Sequence, residues 1–141
     1  MNAPLGSVGI DDLLAQARLG LQRVSVRDAA VELTSGDAVL VDIRPAAQRA
    51  AEGEVHPAYR PLVIERNVLE WRLDPRSEAR LDIARYDLRV LVLCQEGYTS
   101  SLAAFALQQL GLSRATDIDG GFAAWRQAGL PVADRPVGVP A

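Results

Sequence analysis

The six residues Cys94-Gln95-Glu96-Gly97-Tyr98-Thr99 hold the only cysteine of the chain, between the apolar run "LRVLVLC" and a stretch of helical composition from Ser100 onward. A thiolate is the nucleophilic form of cysteine, and a helix N-terminus with converging backbone N–H groups favours it over the thiol. Gly97 can take a positive φ and curl the backbone, and Thr99 or Ser100 is a candidate N-cap for the helix. Amides gathered in this way can converge on one anionic atom. They would also hold a second sulfur carried on Cys94, so the chemistry on offer is attack on sulfur and storage of a persulfide. The bland alternative is a cysteine serving as a small buried hydrophobe at the end of a strand.

The surrounding elements bear on that choice. "IDDLLAQARLGL", residues 10–21, places apolar residues at 10, 13, 14, 17 and 21 with acids in its first turn, which predicts an amphipathic lead-in helix. A short β-rich piece follows, then a helix at 26–33, a turn at "SGD" and an apolar run at 38–43 that Pro45 ends. "PAAQRAAEGE" predicts a short helix that opens at Pro45 and closes near Gly53, and residues 62–64 predict another buried strand. Residues 67–86 predict two short helices separated at Asp74-Pro75. Beyond the loop come a helix at 100–110 closed by Gly111, a strand at 115–118, the pair Gly120-Gly121 and a last helix through Trp125 to Ala128. Strands without polar alternation, each followed by a helix, predict an α/β fold: a mostly parallel sheet of about five strands with helices on both faces. In such a sheet ligands lie beyond the carboxyl ends of the strands, and Cys94 falls at one of them.

A chain of 141 residues fits one domain, which we place at residues 10–132, with loose tails expected at 1–9 and 133–141. Hydrophobic residues at 49% with 23% charged argue for a soluble globular chain rather than a disordered one. No apolar run has the length of a membrane span, and the first residues lack the charged and apolar regions of a signal peptide, so cytoplasmic residence is expected. All fifteen basic residues are arginine, and a net charge of −3 without a basic run excludes nucleic acid and anionic membrane surfaces as expected partners. One cysteine forms no intrachain disulfide, and there is no cysteine cluster for a metal. His56, within "EVHPAY", reads as a loop residue rather than a general base, and Gly120-Gly121 matches no nucleotide-loop motif. Trp125 reads as core.

Together, "VLVDIRP", "CQEGYTSSLAAFALQQLGL" and "DIDGGFAAWRQAGLPV", in this order and spacing, resemble the rhodanese-like sulfurtransferases over roughly residues 22–132. The resemblance implies a single rhodanese-like domain in which Cys94 is the nucleophile and accepts sulfane sulfur as a persulfide. It implies that backbone amides of Gln95, Glu96, Gly97, Tyr98 and Thr99 hold that persulfide, with Ser100 opening the next helix. It places Asp42 and Arg44 at a strand end, with Arg44 near the active-site face, and makes Gly120, Gly121 and Trp125 a structural signature. Asp42 and Arg44 could equally be an ion pair that ends a strand. A guanidinium suits sulfonate or carboxylate oxygens, which favours Arg44 for substrate contact. Tyr98 either lines the pocket mouth or packs on the following helix.

The sequence departs from the family pattern at three places. Thr99 stands where many members carry arginine, Glu96 puts an acid where thiosulfate-preferring members often carry basic residues, and "GEVHPA" replaces the usual "GHIPGA". Like charges at close range oppose binding of a dianion, so thiosulfate is expected to be a poor donor. The activity the resemblance implies is a two-step transfer: sulfur passes from thiosulfate, mercaptopyruvate or a low-molecular-weight persulfide to Cys94, then to cyanide, a small thiol or an acceptor protein. No metal or organic cofactor is expected. The alternative is a module of the same fold that carries persulfide or regulates a partner without turnover. A cysteine phosphatase would need an arginine six positions after the cysteine, where this chain has Ser100.

Overall fold

The computed structural model describes residues 1–134. Its centre is β3 (Val90–Leu93), in which every residue is buried. β3 pairs in parallel with β1 (Val39–Asp42) on one side and β4 (Thr116–Asp117) on the other, and β1 pairs in parallel with β2 (Leu62–Val63), giving the order β2-β1-β3-β4. Successive side chains of a strand point to opposite faces. Val41, Val90 and Val92 accordingly pack on one side, with Leu69, Leu73, Ala103, Ala104 and Leu107. Leu40, Leu91 and Leu93 pack on the other, with Ala29, Leu33, Phe122 and Trp125.

The helices supply these two layers. α1 (Ile10–Arg18) buries Leu14 and Ala17, and α5 (Thr99–Gln109) lies on the same face as α4 (Leu69–Leu73). α2 (Val26–Ser35) and α6 (Gly121–Gln127) cover the opposite face, while α3 (Ala46–Glu52) buries no residue. Ser25 caps α2 by accepting from the Asp28 N–H, and Gly36 ends it at φ 83°. Pro45 occupies the N-cap of α3 and Gly53 its C-cap.

Three expectations change. The sheet has four strands where about five were expected, because the β-rich piece before α2 contributes a single parallel bridge, Val24 to Ile118, before Ser25 starts the helix. The strand at 62–64 is a two-residue edge with Val63 40% exposed, so it is not buried on both faces. Of the two helices expected within 67–86 only α4 forms. After it Pro75 and a series of turns carry the chain, with Leu81 N–H bonded back to the Arg72 carbonyl. The expected C-terminal tail beyond residue 134 lies outside the described residues, and residues 1–9 are exposed.

Candidate active site

Cys94 follows directly after β3, and its side chain is buried at 4% exposure. Two backbone amides reach its sulfur: Gly97 N–H donates to Sγ at 3.2 Å and Ser100 N–H at 3.4 Å. Ser100 is the second residue of α5, so Sγ takes the place that an N-cap oxygen commonly fills. The expectation that Thr99 or Ser100 would be the N-cap is therefore corrected. Tyr98 holds that position without a side-chain bond, Thr99 begins the helix, and the Ser100 hydroxyl turns inward to Asp117. Among the described residues the N–H groups of Gln95, Glu96, Tyr98 and Thr99 donate to no protein acceptor. The loop thus spends two amides on the sulfur and keeps four more.

The loop's curvature is fixed from below. Gly97 sits at φ +86°, where a Cβ would come within 2.7 Å of the Gly120 nitrogen. The first amides of α6 grip the start of the loop, Phe122 N–H donating to the Cys94 carbonyl and Ala123 N–H to the Gln95 carbonyl, each at 2.9 Å. Gly121, at φ +60°, makes that approach feasible, since a Cβ there would collide with the Cys94 carbonyl oxygen and lie 2.8 Å from the Gln95 carbonyl carbon. The glycine pair is thus a site of close backbone contact.

Of the two readings of Asp42 and Arg44, the ion pair at the strand end is formed. Arg44 is 1% exposed and forms a two-point ion pair with Asp42, Nε to Oδ1 at 3.0 Å and Nη2 to Oδ2 at 2.8 Å. Nη1 donates to Gln95 Oε1 and Nη2 to the Gly53 carbonyl, both at 2.9 Å, and the guanidinium lies 4.4 Å from the Phe122 ring centroid. Arg44 thus reaches the loop through Gln95, with four of its five N–H donors held by the protein. Glu96, Tyr98 and Thr99 are exposed, Tyr98 at 61%, so the loop's outer rim bears an acid and a phenol. His56 is outside this site: its Nδ1 accepts from Ala58 N–H at the start of a 3-10 turn, Pro57–Tyr59. Trp125 is fully buried, its Nε1 donating to the Pro131 carbonyl at 2.9 Å. A cleft of about 740 Å³ lined by Leu33, Ala38, His56, Tyr59 and Pro131 contains no loop residue.

Behind the loop lies a polar cluster that motif reading did not assign. Asp117, fully buried on β4, accepts from Arg23 at 3.0 and 3.1 Å, from the Ser100 hydroxyl at 2.7 Å and from the Ser101 hydroxyl at 2.8 Å. Arg23 and Arg18 each donate to the Gly97 carbonyl at 2.8 Å. Burial works against the charge of Arg23, but the bond and charge of Asp117, then the charges of Asp119 and Cys94, outweigh it and hold Arg23 above the usual arginine value. A carboxylate inside an apolar strand needs partners, and that was the available signal for Asp117.

A parallel α/β sheet with a lone cysteine in an amide-lined loop at a strand's carboxyl end is the arrangement the sequence motifs implied. The chain belongs to the rhodanese-like domain family, whose model matches residues 25–128. It is similar to the thiosulfate sulfurtransferase GlpE of Vibrio cholerae, 40% identical over 52 residues, a stretch that is 37% of this chain and about half (49%) of that relative's length. A solved structure of a protein of unknown function from Rhodopseudomonas palustris, RPA3614, described as a possible tyrosine phosphatase, is 33% identical with a TM-score of 0.81, covering 94% of this chain and 98% of that one. The human single-domain sulfurtransferase TSTD1 shares the fold at 24% identity and a TM-score of 0.62, over 74% of this chain and 95% of that one.

Proposed function

We propose that the protein is a sulfurtransferase in which Cys94 carries sulfane sulfur between a donor and a thiophilic acceptor. The Cys94 thiolate attacks the sulfane sulfur of the donor, forming the Sγ–S bond as the donor's bond to that sulfur breaks. The electron pair leaves with the donor fragment, as sulfite from thiosulfate or a thiolate from a persulfide. In the second step an acceptor thiolate or cyanide takes the outer sulfur and Sγ departs as thiolate, so no external oxidant or cofactor is consumed. The observation that carries the reading is the division of the loop amides: two hold Sγ, and those of Gln95, Glu96, Tyr98 and Thr99 remain to receive the outer sulfur. Asp42, Arg44 and Gln95 act by holding the loop's first residues.

Intact-mass spectrometry tests this. After incubation with thiosulfate, mercaptopyruvate or glutathione persulfide, the wild-type protein gains the mass of one sulfur atom and Cys94→Ser gains none. Absence of the adduct with every donor would overturn the proposal. A wild type that loads once without turnover with any acceptor would instead favour the persulfide-carrier module. The phosphatase description of the Rhodopseudomonas palustris relative does not transfer readily: Ser100 occupies the position where a phosphate-holding arginine is needed, and its hydroxyl is engaged by Asp117. Hydrolysis of p-nitrophenyl phosphate would reverse that judgement.

A further inference from the structure

We infer that Arg18 and Arg23 are positioning residues for the sulfur chemistry of Cys94, clamping the Gly97 carbonyl so that the loop's free amides face the reacting sulfur. The inference rests on the sulfurtransferase reading above and extends it to residues that precede the stretch matched by the family model, which begins at 25.

Both guanidinium groups donate through Nη2 to the same carbonyl oxygen at 2.8 Å. In a trans peptide the C=O and the following N–H point in opposite directions, and no cis bond occurs among the described residues. Pulling the Gly97 carbonyl back toward two cations therefore turns the Tyr98 N–H away from them, and it is one of the four loop amides with no protein acceptor. Two charged donors on one carbonyl also polarise that peptide, which strengthens its N–H as a donor.

The pair is itself anchored. Arg23 is held by Asp117, the carboxylate that also fixes Ser100 and Ser101 at the start of α5. Arg18, at the end of α1, bonds the Ser101 hydroxyl at 2.9 Å and, among the described residues, pairs with no carboxylate. Two arginines thus share two carboxylates, Asp117 and Asp119, behind the loop, and Arg18, without a carboxylate of its own, brings its charge to the Gly97 carbonyl. The lead-in helix and the bridge before α2 thereby join the reactive loop.

Arg18 gives the cleaner test, because removing Arg23 would strand a buried carboxylate. Arg18→Met keeps an unbranched stem and deletes the donors. Per titrated thiol, it should load sulfur from glutathione persulfide about tenfold more slowly at saturation, with KM within about twofold, the pattern of an interaction made in the transition state. Arg18→Lys, which retains a cation and a donor, should recover at least about threefold of that loss. Alkylation of Cys94 by iodoacetamide should slow in Arg18→Met as well. A purely structural role would lower the melting temperature or the number of reactive thiols and leave the rate per thiol unchanged. Wild-type rates per thiol in both assays, or a lysine variant no faster than methionine, would overturn the inference. If wild type acquires no sulfur the sulfurtransferase reading fails, and the alkylation comparison alone then decides whether Arg18 acts on the sulfur.

Discussion

At the scale of single residues, the loop combines an anion cradle with an acid at its rim. Arg44 is buried and paired with Asp42, and Arg18 and Arg23 face the back of Gly97, so an incoming sulfonate meets the exposed Glu96 before any of these cations. Glu96→Gln should raise kcat/KM for thiosulfate about two- to fivefold, and less at high salt, while leaving a neutral sulfane-sulfur donor such as a dialkyl trisulfide unaffected. Steady-state kinetics with both donors at two ionic strengths checks this, and equal gains with both would refute the electrostatic cause. Cys94 and its loop were legible because six consecutive residues carry them. Arg18, Arg23 and Asp117 were not, since Arg23 lies 94 positions from Asp117 and 74 from Gly97, and only folding brings them together. For Arg44 the sequence offered both an ion pair and a substrate contact, and "DIR" shows the pairing with Asp42 but not the bonds to Gln95 and Gly53, which only folding supplies.

Among the elements, α6 matters to the loop through its first turn. Gly121→Ala would push a Cβ into the Cys94 and Gln95 backbone at a positive φ, where neither side can yield cheaply. We expect a loss of about 2–4 kcal/mol in urea unfolding, accompanied by loss of sulfur loading in the folded fraction. A variant with wild-type stability and loading would show that the approach is less tight than described. The pair at the end of β1 makes a second case: Asp42→Ala leaves Arg44 buried and uncompensated, for an expected cost of about 3–5 kcal/mol on the same measurement. Apolar runs and turn residues located β1, β3, α2, α3, α5 and α6 in the sequence, because these elements are set by local pattern. The segment 74–86 was misread: its helical composition is overridden by Asp74-Pro75 and by the bonds that fold it back onto α4, among them Arg72 Nη1 to the Ala79 carbonyl.

For the molecule as a whole, two apolar layers share one buried strand, which makes β3 the last element expected to open. Amide hydrogen exchange should report the global unfolding free energy at Leu91 and Val92, while amides in the turns at 74–86 exchange by local fluctuation. Equal protection in the two regions would contradict that arrangement. No helix among the described residues is long and apolar enough to cross a membrane. The sheet's helical layers were legible from unalternating strands, whereas the missing fifth strand was not, since whether Val24 extends or begins a helix is settled by Ser25 capping α2. The union of α1 with the reactive loop has a practical corollary for anyone trimming the gene. A fragment cut at residue 25, where the family match begins, would keep Cys94 and every motif while discarding both props of the turn around it, and any defect it showed would wrongly be blamed on the cysteine loop itself.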